Sequence, residues 1–152
     1  MAATFRSGRG DRMKSYEVHR HIEAEPAVVW AALTDSDRLI AADTGIQRID
    51  GRMELGDTFT LWSEAVPGRG FKTRVTLREA PLRMVWEGGL PAGLFRGVRS
   101  FTLTPSAGGT DFVMREEFTG PMLALIWRNM PDLQPHFDTF AEGLGRTTEA
   151  TR

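Results

Sequence analysis

The sequence predicts an α+β domain in which an antiparallel sheet of about seven strands, two short helices and a long C-terminal helix share one core. Three patterns lead to this prediction: residues 16–23 alternate in polarity, residues 45–119 form apolar segments separated by turns, and residues 122–144 carry apolar side chains at helical spacing. Because short turns join sequential strands antiparallel, the middle segment is a meander. The Rossmann and barrel α/β folds, which alternate strands with helices, are therefore excluded.

The N-terminal part of the chain divides into an arm, a strand and two short helices. Residues 1–14 place four basic side chains among serine and glycine, which predicts a disordered arm before a single domain at residues 15–150. The first strand ends before Pro26, and proline suits the first turn of the helix that continues to Thr34. Asp35 can cap the second short helix.

Turn sequences divide the central segment into six further strands. The turns are expected at Asp50-Gly51, Pro67 to Gly70, Ala80-Pro81, Gly88-Gly89 and Pro105 to Gly109. The final helical segment contains Pro131 and Pro135, and each proline removes a backbone hydrogen-bond donor. We therefore expect this helix to kink or split near residues 129–132.

Composition restricts the classes of function. The 152 residues suit one domain, and the absence of cysteine excludes thiolate nucleophiles and sulfur-ligated metal sites. The 19 basic and 20 acidic side chains nearly balance, so no nucleic-acid partner is expected. No apolar segment approaches the roughly 20 residues of a membrane span, and the N-terminus does not resemble a secretory signal. We expect a cytoplasmic protein, and homodimerisation remains open.

Recognised catalytic signatures are missing from the sequence. The segments Gly68-Arg69-Gly70 and Gly88-Gly89 lack the strand-to-helix context of a phosphate-binding loop, and no nucleophilic triad is evident. His19 and His21 lie on the polar face of the first strand, with no third ligand at a suitable spacing. We therefore expect neither a metal site nor a cofactor.

Three segments of the sequence resemble a known superfamily. They are residues 22–30 (IEAEPAVVW) with Leu33 and Asp35, residues 81–86 (PLRMVW), and residues 110–119 followed by Gly120-Pro121. Together with the order of elements over residues 16–149, they resemble the START-like or SRPBCC helix-grip superfamily, which includes polyketide cyclases and dehydrases, lipid-transfer domains and the birch-pollen-allergen type. The resemblance implies a curved sheet that encloses, with the last helix, a cavity for a small apolar or aromatic ligand.

The hairpin that turns at residues 105–110 predicts a charged pair facing this cavity. Antiparallel pairing sets three pairs opposite one another on one face: Leu103 with Phe112, Phe101 with Met114, and Arg99 with Glu116. Because the first two pairs are apolar, this face is the inner one. A buried charge costs several kcal/mol unless it is paired, so the pair either completes a structural network or contacts a ligand. A shift of one residue would place both side chains in solvent and Glu117 inside.

Two further strands contribute apolar side chains to the same face. The expected pairs are Val75 with Trp86 and Leu77 with Met84, and the arginines expected outside are Arg74, Arg78 and Arg83. Phe71 is an even number of residues from Val75 on the same strand, so it is expected on the same face of the sheet. On the preceding strand, Trp62 and Leu61 are alternatives for the inner position, and we slightly favour Trp62.

The candidate ligand contacts combine this face with the last helix. The apolar stripe of that helix must pack on the sheet, and Met130 can fill gaps in an adaptable pocket. Ordinary core packing is the favoured explanation of the helix residues, and both explanations can hold together because the cavity is a hollow in the core. The candidate set is Trp62, Phe71, Val75, Trp86, Arg99, Phe101, Met114, Glu116, Met130, Phe137 and Phe140.

Three functions are compatible with these features. The leading hypothesis is a module that binds a small hydrophobic molecule, in the manner of lipid-binding members of the superfamily. The first alternative is an enzyme like the cyclases or dehydratases, in which Arg99, Glu116 and His136 are the candidates for polarising a carbonyl or moving a proton. The second alternative is a protein-interaction domain of the co-chaperone kind, which a filled core without a cavity would favour.

Overall fold

The computed structural model describes residues 6–7 and 13–151. Within them the strands are β1 (Arg6–Ser7), β2 (Met13–Ile22), β3 (Ile46–Asp50), β4 (Thr58–Ser63), β5 (Gly70–Glu79), β6 (Arg83–Gly89), β7 (Arg96–Ser106) and β8 (Gly109–Thr119). The helices are α1 (Pro26–Leu33), α2 (Ser36–Ala41), α3 (Leu123–Trp127) and α4 (Gln134–Glu149). A short 3₁₀ turn at Pro91–Gly93 lies between β6 and β7.

The strands form one antiparallel sheet in the order β1-β2-β8-β7-β6-β5-β4-β3. The strands from β3 to β8 are a meander, and β2 closes it by pairing with β8 from Met13 opposite Thr119 to Ile22 opposite Thr110. The helix-grip α+β class predicted from the sequence is confirmed. The two short helices are also confirmed, and the Asp35 carboxylate accepts a hydrogen bond from the Arg38 backbone N–H at 3.2 Å.

The core lies between the inner face of the sheet and α4. Phe137, Phe140 and Leu144 of α4 are at most 2% exposed, as the apolar stripe predicts. Phe140 packs against Phe101 and Phe112 of the sheet, with ring centroids 5.9 and 6.3 Å away. The long helix therefore covers the sheet with aromatic side chains at this end.

The final helical segment is split, as its prolines predict. Residues 128–133 form a non-helical linker between α3 and α4, and Pro131 lies within it. Pro135 lies in the first turn of α4, where its missing N–H has no helical acceptor to lose. The Asp132 carboxylate instead accepts a hydrogen bond from the Gln134 backbone N–H at 3.0 Å.

The N-terminal arm was predicted to be disordered over residues 1–14, and most of that prediction falls outside the described residues. The described part is in strands. Arg6 pairs with Ser15 and Ser7 with Lys14, and β2 begins at Met13, two residues before the predicted domain boundary. The first strand therefore extends further towards the N-terminus than the alternation of residues 16–22 indicates.

A bulge in β5 changes the predicted pairing with β6. Val75 faces Trp86 as expected, but the register shifts between Val75 and Leu77, so that Arg78 and not Leu77 lies opposite Met84. The Arg78 guanidinium lies 5.4 Å from the ring centroid of Trp30, and its side chain is 22% exposed. The prediction that Arg78 lies outside was therefore wrong.

The packing of Phe101 generates a stability prediction. Phe101 is fully buried, and its ring contacts those of Trp86, Phe112 and Phe140. Phe101→Ala should lower the free energy of unfolding by about 3–5 kcal/mol because it leaves a cavity among aromatic rings. Phe71→Ala, at a 37% exposed position, is the control and should cost less than about 1 kcal/mol. Urea denaturation measures both, and equal losses would contradict this account of the core.

Candidate functional site

Three successive rows of cross-strand neighbours cross the inner face of the sheet. The filled row consists of Val18, Met114, Phe101 and Met84. The polar row consists of Tyr16, Glu116, Arg99 and Trp86. The glycine row consists of Phe118, Gly97, Gly88 and Thr73. The face therefore changes from packed to polar to hollow within three rows.

A cavity of about 160 Å³ lies over the glycine row. Gly97 and Gly88 are direct neighbours on β7 and β6, so two adjacent positions of the inner face carry no side chain. The walls are Leu61, Ser63, Ala65, Val66, Phe71, Lys72, Thr73, Trp86, Gly88, Gly89, Phe95, Gly97, Arg99, Glu116, Phe118, Met130 and Leu133. The hollow is thus a consequence of sequence, because side chains occupy every position of the filled row but are missing at Gly97 and Gly88.

The Arg99 and Glu116 side chains form an ion pair at the cavity wall. Nε and Nη2 of Arg99 donate to Oε2 of Glu116 at 3.1 and 2.8 Å, and the side chains are only 19% and 16% exposed. The Arg99 guanidinium also lies 5.0 Å from the ring centroid of Phe137. The second carboxylate oxygen, Oε1, lies 3.1 Å from the position that a Cβ on Gly97 would take. One carboxylate oxygen therefore holds Arg99 while the other borders the hollow.

Trp86 contributes both an aromatic wall and a buried polar atom. Its ring is 2% exposed and lies edge-on between Phe59 and Phe101, with centroids 5.0 and 4.6 Å away. Its Nε1 has no hydrogen-bond partner among the described residues. An indole N–H is a donor only, so this atom requires an acceptor that the surrounding aromatic rings do not supply.

The linker between α3 and α4 closes the cavity from the helical side. Met130 and Leu133 of the linker are wall residues. Tyr16, at the end of the polar row, stacks on Trp127 at 5.8 Å and packs against Phe137 at 5.6 Å. Burial raises the pKa of Tyr16; the nearby Asp132 carboxylate raises it further, and a hydrogen bond from the Leu133 backbone opposes the rise. One side chain thus connects the sheet to the linker.

The structure places the predicted contact residues in three environments. Five of them line the cavity: Phe71, Trp86, Arg99, Glu116 and Met130. Another five lie in the packed core: Val75, Phe101, Met114, Phe137 and Phe140. The three predicted pairs of the β7–β8 hairpin, Arg99 with Glu116 included, are confirmed. Their role towards a ligand is not tested by this geometry and stays a prediction.

Trp62 is on the other face of the sheet. Leu61 pairs with Phe71 and lines the cavity, whereas Trp62 pairs with Gly70 and lies beneath the Arg48 guanidinium, 4.8 Å from its ring centroid. The preference for Trp62 over Leu61 was therefore wrong. His136, in the first turn of α4, is partly exposed and is not among the wall residues.

Several wall residues were missed by sequence reasoning. Phe118 continues the alternation of Phe112, Met114 and Glu116, so the same register argument would have found it. Gly88 and Gly97 carried a signal of another kind, because two cross-strand glycines leave space that larger residues would fill. Phe95 lies outside the regular strands and gave no periodic signal.

A serine, a histidine and an aspartate come together at the outer end of the β7–β8 hairpin, but their geometry is not that of a catalytic triad. Asp111 Oδ1 and Ser106 Oγ both lie against Nδ1 of His21, at 2.9 and 3.2 Å. A triad needs the serine on the ring nitrogen opposite the acid. A hydrogen bond from His21 holds the pKa of the exposed Asp111 carboxyl below its ordinary value. The cluster acts as a local tie between β2 and the hairpin.

The described part of the chain contains neither a membrane-spanning helix nor a metal-binding cluster. Within residues 6–7 and 13–151, no helix has the length and apolar character needed to cross a membrane. The histidine, aspartate and glutamate side chains of the same residues form no group of three that could hold a metal ion.

The fold and the internal cavity define a helix-grip protein, and comparison with known proteins assigns the family. The chain belongs to the family described as polyketide cyclase/dehydrase and lipid transport, whose model matches residues 13–147. No curated protein matches the sequence.

Solved structures share the fold at low sequence identity. Protein MLL2253 from Mesorhizobium loti is 22% identical with a TM-score of 0.71, over 91% of this chain and 99% of that one. A Rhodobacter sphaeroides protein is 20% identical with a TM-score of 0.68, over 98% and 99% of the two chains. The di-domain ARO/CYC StfQ of the steffimycin biosynthetic pathway is 14% identical with a TM-score of 0.65, over 92% of this chain and 51% of its own.

The Arg99 and Glu116 ion pair generates a second stability prediction. Arg99→Met should lower the free energy of unfolding by about 1–3 kcal/mol, because it leaves a largely buried carboxylate without its partner. The double variant Arg99→Met/Glu116→Met should recover most of this loss, since it removes both charges. Arg115 and Glu117 form a similar pair on the outer face, at 3.0 Å and more exposed. Arg115→Met is the matched control and should cost at most about 1 kcal/mol. Denaturant unfolding that shows equal losses for the single and double variants would contradict the prediction.

The raised pKa of Tyr16 predicts a loss of stability at alkaline pH. The contribution of Tyr16 is complete below the ordinary tyrosine pKa and is lost as the pH rises through the higher value of the folded state, because the unfolded chain ionises first. Tyr16 is the only tyrosine, so near-ultraviolet phenolate absorbance reports on it alone. Stability should fall less steeply with alkaline pH in Tyr16→Phe than in the natural protein. Phenolate formation at or below the ordinary pKa would contradict the burial argument.

Proposed function

We propose that the protein binds a small apolar or aromatic molecule in the cavity over the glycine row. The observation that carries the proposal is the combination of apolar walls with a single ion pair at one side. Ligand sites of proteins are concave, mostly apolar and supplied with few polar groups that fix orientation. The family description, which includes lipid transport, supports the same reading.

The size of the cavity restricts the ligand. Its volume of about 160 Å³ is close to that of an engineered cavity of about 150 Å³ that stays dry and binds benzene. The enclosed part of a ligand is therefore about one aromatic ring or a compact fused pair. A larger molecule requires displacement of Met130 or Leu133, the two linker residues that line the cavity.

A cyclase-like or dehydratase-like enzyme is the second candidate function. Glu116 presents one oxygen to the hollow while its other oxygen holds Arg99, so a proton acceptor and a cation lie side by side at the wall. Such a pair could polarise a carbonyl and move a proton. This alternative requires that Glu116→Gln abolishes turnover of a polyketone while its binding and the melting temperature stay nearly unchanged.

The protein-interaction hypothesis has less support than the other two. A filled core without a cavity would favour it, and the described residues line a cavity instead.

Filling the cavity tests the proposal. A Cβ on Gly97 meets only the end of the Glu116 side chain at 3.1 Å and Phe118 at 3.4 Å, whereas one on Gly88 meets the Lys72 backbone oxygen at 2.9 Å. Gly97→Val should therefore fold, place its methyl groups in the hollow and weaken binding of indane by at least about tenfold. Isothermal titration calorimetry measures the dissociation constants.

The matched control for this experiment is Thr102→Val, on the outer face of the same strand opposite Arg83 and Val113. It should bind indane as the natural protein does. Saturable binding that is unchanged by Gly97→Val would place the ligand elsewhere, and the absence of indane binding to the natural protein would overturn the proposed function.

A further inference from the structure

The carboxylate of Glu116 has one oxygen that the ion pair does not use. Both hydrogen bonds from Arg99 go to Oε2, at 3.1 and 2.8 Å, and no described residue donates to Oε1. Tyr16, the other cross-strand neighbour of Glu116, has its hydroxyl hydrogen-bonded to the Asp132 carboxylate and the Leu133 backbone. Oε1 is therefore an acceptor to which the described part of the chain supplies no donor.

This oxygen keeps accessible surface on the inner side of the sheet. Four described side-chain atoms are both buried and without a hydrogen-bond partner, and Oε1 of Glu116 is not one of them. Glu116 is a wall residue of the cavity, and its Oε1 lies 3.1 Å from the position that a Cβ on Gly97 would take. Because Gly97 carries no side chain, a molecule above the glycine row can contact this oxygen directly.

The ion pair fixes the oxygen before a ligand arrives. The Arg99 guanidinium is held between Oε2 of Glu116 at 2.8 Å and the ring of Phe137, whose centroid is 5.0 Å away. A carboxylate is negatively charged at neutral pH, and hydrogen bonds to a charged acceptor are stronger than those between neutral groups. An acceptor that is already oriented also costs less conformational entropy when the ligand binds.

The charges of the whole wall decide which donor suits this acceptor. The charged wall residues are Lys72, Arg99 and Glu116, so two cations accompany one carboxylate. A cationic ligand would be repelled by both cations. A ligand carboxylate could be attracted by Lys72, but it has no hydrogen to donate to Oε1. A neutral hydroxyl group can donate to Oε1 and adds no charge to the cavity.

The position of Lys72 keeps it apart from this contact. Lys72 is on β5 and Glu116 on β8, so the two residues are three strand spacings apart, roughly 14 Å along the sheet. One polar atom of a compact ligand cannot contact both side chains. Selection of a hydroxyl by Glu116 and selection of an anion by Lys72 are therefore distinguishable.

We propose that Oε1 of Glu116 accepts a hydrogen bond from a neutral hydroxyl group of the ligand, so that the cavity prefers compact hydroxylated aromatic molecules to hydrocarbons and ethers of the same shape. This inference rests on the proposed function, since it names the class of molecule that the same cavity takes. The aromatic ring is matched by aromatic side chains of the wall: Phe71, Trp86, Phe95 and Phe118.

Three ligands of matched ring size test the inference by titration calorimetry: 5-indanol, 5-methoxyindane and indane. The methoxy compound keeps the oxygen of the hydroxyl compound but has no hydrogen to donate. The natural protein should bind 5-indanol at least about tenfold more tightly than either of the others, as one hydrogen bond to a charged acceptor predicts.

A double variant assigns this preference to Glu116. Arg99→Met/Glu116→Met removes the acceptor together with its partner, and the preference for 5-indanol should disappear. Arg115→Met/Glu117→Met removes the corresponding pair of the outer face and is the matched control, which should keep the preference. A preference that survives the first double variant would overturn the inference.

Two further ligands test the natural protein alone, so that this measurement does not depend on a variant retaining its fold. The neutral amine 5-aminoindane is a weaker donor and should bind less tightly than 5-indanol but more tightly than 5-methoxyindane. Indane-5-carboxylate should bind less tightly than 5-indanol.

The contrary results separate the two proposals. Equal affinities for 5-indanol and 5-methoxyindane would overturn this inference and leave the proposed function standing. Tightest binding of indane-5-carboxylate would do the same, because Lys72 and not Glu116 would then select the ligand. Failure of 5-indanol and indane alike to bind would overturn the two proposals together.

Discussion

The register between β7 and β8 is the constraint on which the inner face depends. The turn at Ala107-Gly108 is tight because Gly108 adopts a φ of 79°, which side chains disfavour, and Ser106 then pairs directly with Gly109. Gly109 in turn passes so close to the Ile22 carbonyl that a Cβ would lie 2.1 Å from its oxygen. The hairpin is thereby held against β2 as well. From this turn onwards, every second residue of both strands points inwards, which aligns the filled, polar and glycine rows.

The cavity follows from a change in side-chain size along these rows and not from a separate structural element. In the filled row, Phe101 and Met114 occupy the space between the sheet and α4. Two rows further along, Gly97 and Gly88 leave that space open, and Met130 and Leu133 of the linker cover it. The ion pair lies at the boundary, where a charge can be partly buried because its partner stands directly opposite on the next strand.

The sequence predicted strand pairing correctly where two long strands pair regularly from a clear turn. It predicted the pairing wrongly where the register is irregular. The pairing of Arg99 with Glu116 was predictable because eleven residues of each strand alternate without interruption from a recognisable turn. In β5 a bulge after Val75 changes which residues face inwards. The order of Leu77 and Arg78 in the sequence gives no sign of this bulge. Trp62 was misplaced because β4 carries large apolar side chains on both faces, and its outer one is covered by Arg48. The contact of Tyr16 with the linker joins residues more than one hundred positions apart, which periodicity cannot detect.

The linker of residues 128–133 separates two free energies that a closed core would tie together: that of opening the cavity and that of global unfolding. Its Asn129 and Met130 N–H groups bond only to the preceding turn, at 3.2 Å each, and the segment adds no strand to the sheet. Displacing the linker from the cavity is therefore a local event, and its free energy is smaller than that of global unfolding. On the proposed function, the exchange of a ligand would therefore depend on the contact of Tyr16 with Trp127 beside the linker, whereas global unfolding would depend on the sheet and α4.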